Sequence, residues 1–194
     1  MRLFFALPLP ARLQLDLDHW CTHALSATID RIPARNYHMT LAFLGDVPAS
    51  QLDTLIQQTD QALAALRLDA GDRTIRIDQT GYFAKPGIFW IGPSHWPKAL
   101  GSLAQTLQQI GNRIGCPRTR QSFQPHISLI RNCNDLLAPL AAPDFDLPLD
   151  EVVLFESQQA RSGVQYHALE SWPIEATPTR PFPDRPSLPR RRKS

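Results

Sequence analysis

The apolar positions of this chain follow two periods, and the switches between them mark out its elements. Leu3 to Leu7 is an unbroken apolar run closed by Pro8 and Pro10, which predicts a short buried strand. Leu13, Leu17, Trp20, Ala24 and Ala27 then fall on one stripe, predicting a helix from Ala11 to Ala27. Tyr37 to Leu44 returns to a strand pattern and stops at Gly45-Asp46. A second helix is predicted over Ser50–Leu66, with Leu52, Leu55, Ile56, Leu63 and Leu66 inward and Ser50 with Asp53 as a capping pair. Thr74–Phe83 reads as a strand bent at Gly81, and Gly87–Gly92 as a second strand bracketed by Pro86 and Pro93. Pro97–Ile114 is a third helix with Leu100, Leu103, Leu107, Ile110 and Ile114 as its apolar stripe, ended by Gly115 and Pro117. Gln124–Arg131, Glu151–Glu156 and Val164–Trp172 complete the predicted strands, with Ser162-Gly163 turning between the last two.

Two of these strands carry the same four-residue phrase. His38-Met39-Thr40-Leu41 and His126-Ile127-Ser128-Leu129 both read histidine, apolar, hydroxyl, apolar, 88 residues apart. With six histidines in the chain, only about 0.1 such matches are expected by chance. Side chains alternate along a strand, so His38 and Thr40 face one way while Met39 and Leu41 face the other. The same holds for His126 and Ser128. Two such strands brought together by a pseudo-twofold would set two imidazoles and two hydroxyls across one cleft. That layout suits in-line attack at phosphorus: one imidazole takes a proton from water and the other gives a proton to the departing oxygen. The hydroxyls donate to the non-bridging oxygens. Histidine serves both roles because its unperturbed pKa is about 6.5. A metal site is the competing use of paired imidazoles, but no HExxH or clustered carboxylate accompanies them. His19, His23, His95 and His167 lack a hydroxyl partner and read as surface or structural.

Composition narrows the partners. The 194 residues are 43% hydrophobic and 20% charged, a globular balance, and no apolar run is long enough to cross a bilayer. The net charge of +2 is unevenly spread. Residues 176–194 contain five Arg, one Lys and one Asp among five prolines, whereas residues 1–175 hold 14 basic and 17 acidic side chains. A folded domain over 1–175 followed by a flexible basic tail over 176–194 is therefore expected. The mildly acidic body lacks the broad basic face of a nucleic-acid-coating protein. Three dispersed cysteines, with no CxxC, fit neither a zinc site nor a disulfide framework and suit a reducing compartment. The proline-broken start reads as a strand rather than a signal peptide, and a cytoplasmic protein without an obligate protein partner is expected.

The flanking residues extend the likeness to a known family. Arg2-Leu3-Phe4-Phe5-Ala6-Leu7, Asn36 to Gly45, Phe123 to Arg131 and Val153-Leu154-Phe155-Glu156-Ser157 occur in order. Together they resemble the 2H phosphoesterases, and within them the bacterial RNA 2′,3′-cyclic phosphodiesterases, also called 2′-5′ RNA ligases. The resemblance implies an α+β fold of two pseudo-symmetric lobes, each an antiparallel sheet with outer helices, flanking a central cleft. It implies hydrolysis of an RNA-terminal 2′,3′-cyclic phosphate to a 2′-phosphomonoester with no metal or other cofactor. By that resemblance His38 is the proton donor and His126 the proton acceptor, and Thr40, Ser128 and Arg131 bind phosphate. Strand parity sets Arg131 opposite His126, so its reach requires a bend at the strand end. Gln124 stands where relatives often carry Arg, and Ser128 where Thr is commoner. Reverse 2′-5′ ligation, action on a small nucleotide such as an ADP-ribose cyclic phosphate, and a non-catalytic RNA-end binding module stay open. Tyr37, Phe43, Phe83, Trp90 and Phe123 are candidates to stack on a base, with core packing the competing use of each.

Overall fold

A computed structural model describes residues 1–25, 30–64, 66–118, 122–134, 137–161 and 163–177. The chain begins with strand β1 (Arg2–Pro8), helix α1 (Ala11–Ala24), strand β2 (His38–Asp46) and helix α2 (Leu52–Leu63). Short strands β3 (Arg67–Leu68) and β4 (Thr74–Ile77) lead to β5 (Gln79–Phe83), β6 (Ile88–Gly92) and helix α3 (Lys98–Arg113). Then come β7 (Ile127–Arg131), β8 (Phe145–Pro148), the long hairpin of β9 (Glu151–Ala160) with β10 (Gly163–Pro173), and β11 (Glu175–Ala176).

The fold is α+β and two-lobed. Its main sheet has seven strands in the order β10-β9-β1-β2-β7-β6-β5, antiparallel throughout. The lobes are the β10-β9-β1-β2 half and the β7-β6-β5 half. They meet through one registered pair, Met39 with Ile127. Each of these residues comes directly after the histidine of its motif, so the seam between lobes is also where the motifs meet.

The strand β1 shows how the sequence builds this. Leu3, Phe5 and Leu7 alternate into the main core, where each is essentially inaccessible to solvent. Burying such a side chain stabilises the fold by about 1.5–3 kcal/mol. Phe4 points to the other face and is buried there as well, among the rings of the cleft. Both faces are covered, which is why the run is continuously apolar rather than alternating. Helix α3 lays Leu100, Leu103, Leu107 and Ile110 into the core, and α2 ties to the hairpin through Trp172 Nε1, which donates to Asp60 Oδ1 at 2.6 Å. On the other lobe, Trp20 of α1 meets Phe145 of β8 edge-on, and the Ile32 N–H donates to the Leu129 carbonyl of β7.

Several expectations need correction. The Thr74–Phe83 segment is two strands in two sheets, broken at Asp78 rather than bent at Gly81, because β4 leaves to pair with β8. The second helix starts at Leu52 after a 3-10 turn, and its end carries no side-chain cap from Ser50. The segment Gln124–His126 precedes β7 instead of belonging to it. Helix α1 ends at Ala24 and buries Cys21, with Trp20 partly buried against the core, and Ala27 lies outside the described residues, as do Ser162 and residues 178–194. Pairing of β11 with β3 carries the described chain through Ala176.

Candidate active site

His38 opens β2 and His126 immediately precedes β7. Their rings are held in the same way. The Nδ1–H of His38 donates to the Asn36 carbonyl at 2.7 Å, and the Nδ1–H of His126 to the Gln124 carbonyl at 2.8 Å. A carbonyl can only accept, so each neutral imidazole leaves its Nε2 lone pair free. Asn36 is itself buried and anchored, its Nδ2 donating to the Val164 carbonyl of β10 at 2.9 Å. These backbone acceptors two residues before each histidine were not among the expected site residues. The repeated spacing of Asn36 and Gln124 ahead of the histidines is the signal that marks them.

Aromatic rings wall both imidazoles. His38 meets Phe4 at 4.9 Å and Tyr166 edge-on at 5.0 Å, with Phe155 at 6.5 Å. His126 meets Phe83 edge-on at 4.9 Å and Trp90 at 6.0 Å. This shielding disfavours the imidazolium. Burial pushes His38 down to about 4 and also lowers His126, outweighing the opposing Nδ1 hydrogen bonds. The positive charge of Arg131 lowers both further.

That Arg131 bears on both histidines is due to a defect in the strand. Against β6, Phe89 pairs with Ile130 and Trp90 with Ser128, so Leu129 is an extra, bulged residue. The bulge reverses the parity after Ser128, and Arg131 emerges on the face of His126 and Ser128. It supplies the bend that simple alternation lacked. The strand β2 does the same. Phe5 pairs with Ala42 and Ala6 with Thr40, leaving Leu41 bulged, and Phe43 turns to the face of His38 and Thr40. Phe43 is 49% exposed, with the Arg2 guanidinium 5.2 Å from its ring centre.

Extending the Met39–Ile127 register by one residue sets His38 across from Ser128 and Thr40 across from His126. Among the described residues neither hydroxyl is engaged by another side chain or carbonyl, and Arg131 has no ion pair. The five expected site residues therefore converge on one face. No group of three or more His, Cys, Asp or Glu side chains able to hold a metal occurs among the described residues. Of the other aromatic candidates, Tyr37 is buried against Cys21, Phe83 and Trp90 pack on His126, and Phe123 and Phe43 line the cleft. Two glycines make room beside His126. A Cβ at Gly81 would lie 2.0 Å from Trp90 Cζ2, and one at Gly92 would lie 2.6 Å from the Pro125 carbonyl oxygen.

This arrangement can move two protons and hold an anion between them. Known proteins resemble the whole chain in sequence and shape. The profile of the 2′-5′ RNA ligase superfamily matches residues 9–161. The RNA 2′,3′-cyclic phosphodiesterase of Escherichia coli K12 is 31% identical over 175 residues, covering 89% of this chain and 96% of that protein. The crystal structure of E. coli LigT complexed with 3′-AMP superposes with a TM-score of 0.77 at 29% identity, over 89% of this chain and 97% of that one. Its NADP+ complex gives 0.76 at 29% identity, over 90% and 97%. A match over most of the chain to the family profile, joined by a relative aligned over nearly its whole length, establishes that the chain belongs to the 2′-5′ RNA ligase superfamily of 2H phosphoesterases.

Proposed function

We propose that this protein hydrolyses an RNA-terminal 2′,3′-cyclic phosphate to a 2′-phosphomonoester, using two histidines and no metal. The observation that carries the reading is the matched pair of imidazoles, each fixed through Nδ1 to a backbone carbonyl and each left with Nε2 free. The E. coli relative's name, RNA 2′,3′-cyclic phosphodiesterase, supports the same substrate.

In this mechanism His126 Nε2 takes a proton from a water whose oxygen bonds to phosphorus. The bond between phosphorus and the 3′ oxygen breaks, and that oxygen receives the Nε2 proton of His38. The product keeps phosphate on the 2′ oxygen and a free 3′ hydroxyl. Exchange with solvent returns the two protons to their starting places. Thr40 and Ser128 donate to the non-bridging oxygens, and Arg131 offsets the charge that builds on them. Before substrate binds, burial keeps His38 neutral down to about pH 4. The substrate's negative charge reverses that bias, so imidazolium forms at His38 together with binding. A 5′ hydroxyl in place of water would give a 2′-5′ linkage by the same transfers.

The test is product analysis on an oligonucleotide ending in a 2′,3′-cyclic phosphate, with EDTA present. A 2′-phosphate formed at an undiminished rate is expected. A 3′-phosphate, or turnover abolished by EDTA, would overturn the mechanism. Replacing His38 or His126 by Ala should each cost about 10²–10⁴-fold in kcat; full activity in both variants would overturn the two-histidine mechanism, and RNA-end affinity without any turnover by the unaltered protein would leave a binding module.

A further inference from the structure

The cleft extends beyond the histidines. Met39–Ile127 is the one registered pair of β2 with β7, and beyond it the Thr40–Gly45 run of β2 and the segment from Ser122 to His126 line an opening. The opening is a cavity of about 890 Å³ with Thr40 and His126 at one part of its wall and Gln105, Gln108, Asn112 and Arg118 at another. That is near the upper end of the roughly 300–1,000 Å³ of small-molecule sites. It continues into a more open cavity of about 490 Å³, which shares Gln109, Asn112 and Arg118 and adds Arg113, but touches neither Thr40 nor His126. The amide-bearing end is therefore the end away from the motifs.

The lining has a consistent chemistry. Gly101, Gln105, Gln108 and Asn112 recur at helical spacing and form a polar stripe on α3 beside its buried Leu100-Leu103-Leu107 stripe. Side-chain amides offer donors and acceptors together, which suits base edges and ribose hydroxyls. His126, Arg113 and Arg118 are the ionisable groups among the described lining residues, and no carboxylate joins them. Neither arginine has an ion pair among the described residues. Arg113 has an ordinary use at the C-terminus of α3, offsetting the helix dipole. Arg118 lies beyond the helix and has none. In a body with more acidic than basic side chains, this concave, carboxylate-free surface is an exception.

We infer that this groove holds the nucleotides on the 5′ side of the reacting end, so that the preferred substrate is a single-stranded RNA chain rather than a free cyclic mononucleotide. The α3 amides meet bases and riboses, and Arg118 with Arg113 meets a backbone phosphate. The inference rests on the cyclic-phosphodiesterase reading of the histidine pair.

Its test compares kcat/KM for adenosine 2′,3′-cyclic phosphate with that for a triadenylate ending in the same group, at several salt concentrations. The unaltered protein should favour the trinucleotide roughly tenfold or more, through KM. Arg113→Ala with Arg118→Ala should remove that preference and flatten the slope of log KM against log salt by about 0.7, the value for one lost phosphate contact on a single strand. Replacing both by Lys should restore most of the preference, which also controls for folding. Equal use of both substrates by the unaltered protein, or a preference that survives the double Ala variant, overturns the inference while leaving the hydrolase reading intact. Failure to hydrolyse either substrate overturns both.

Discussion

Leu41 and Leu129 occupy equivalent places in different strands: each is the extra residue of a β-bulge immediately after a histidine–x–hydroxyl phrase. Both side chains stay in the core, and both bulges reverse the parity of the residues beyond them. The repeated motif is thus a repeated piece of backbone as well as a repeated set of side chains. The two copies diverge in what the bulge delivers to the cleft, Phe43 in one lobe and Arg131 in the other.

Arg131 consequently has two effects that can be separated. In the proposed mechanism it supplies positive charge to bound phosphate, and before substrate binds its charge disfavours protonation of both histidines. Arg131→Ala should raise KM for a cyclic nucleotide by roughly tenfold, the worth of one charge-assisted contact. It should also move the acidic limb of the kcat/KM profile to higher pH, because removing a cation raises the pKa of a nearby imidazole. A weaker KM with an unmoved acidic limb would mean that Arg131 meets substrate only outside the histidine pair.

The strands and helices were legible because most are amphipathic at a regular period. The paired histidines were legible because the same four-residue pattern occurs twice. The reach of Arg131 was not, since a bulge at Leu129 depends on pairing with Phe89 and Trp90, some forty residues away in sequence. The aromatic shell was hidden for a related reason. Phe4, Phe155 and Tyr166 come from three strands that become neighbours only in the sheet order β10-β9-β1-β2. The break at Asp78 was also a tertiary decision, made by pairing of β4 with β8.

Gly81 should tolerate no side chain. An added Cβ would sit 2.0–2.4 Å from three atoms of the Trp90 indole, a rigid ring already packed between Gly81 and the His126–Phe83 pair. Gly81→Ala should therefore cost about 1–3 kcal/mol of stability by overpacking, change the near-ultraviolet dichroism of the tryptophans, and lower kcat. Unchanged dichroism together with unchanged kcat would show that the indole does not brace His126.

Asn36 should matter more than its neighbours suggest. Its side chain ties the start of β2 to β10, and its carbonyl fixes His38. Asn36→Ala removes the donor of the part-buried hydrogen bond to the Val164 carbonyl, at a cost of about 0.5–1.5 kcal/mol, and loosens the imidazole. A fall in kcat larger than any rise in KM is expected, because the loss falls on the orientation of a proton-transferring group. Loss of stability with kcat unchanged would reduce Asn36 to a structural tie.

Stability should fall as the medium is acidified from about pH 6.5 towards pH 4. The folded-state pKa of His38 is depressed to about 4 from an ordinary value near 6.5. Within that window the unfolded chain binds a proton that the folded chain resists, so the unfolded state gains. Above the window both states are neutral and nothing is lost. The full effect is about 3 kcal/mol at most, and less because the ring keeps some contact with solvent. Denaturant titrations at pH 7 and pH 5 should differ by less in His38→Gln than in the unaltered protein. An equal difference in both would mean that His38 is not the group responsible.

The division of labour between the histidines is the part of the mechanism most open to a direct chemical test. Before substrate binds, His38 is held neutral more strongly than His126, which taken alone would favour His126 as the protonated partner. The proposed assignment requires substrate to reverse that order. Sulfur in place of the 3′ bridging oxygen decides the matter, because a thiolate leaves without needing a proton. With a 2′,3′-cyclic phosphorothiolate carrying sulfur at the 3′ position, His38→Ala should recover most of its lost rate, while His126→Ala should stay impaired for want of a base. The reverse pattern would exchange the two roles and retain the two-histidine mechanism. Rescue of neither variant would count against proton donation by either ring as the step that limits turnover.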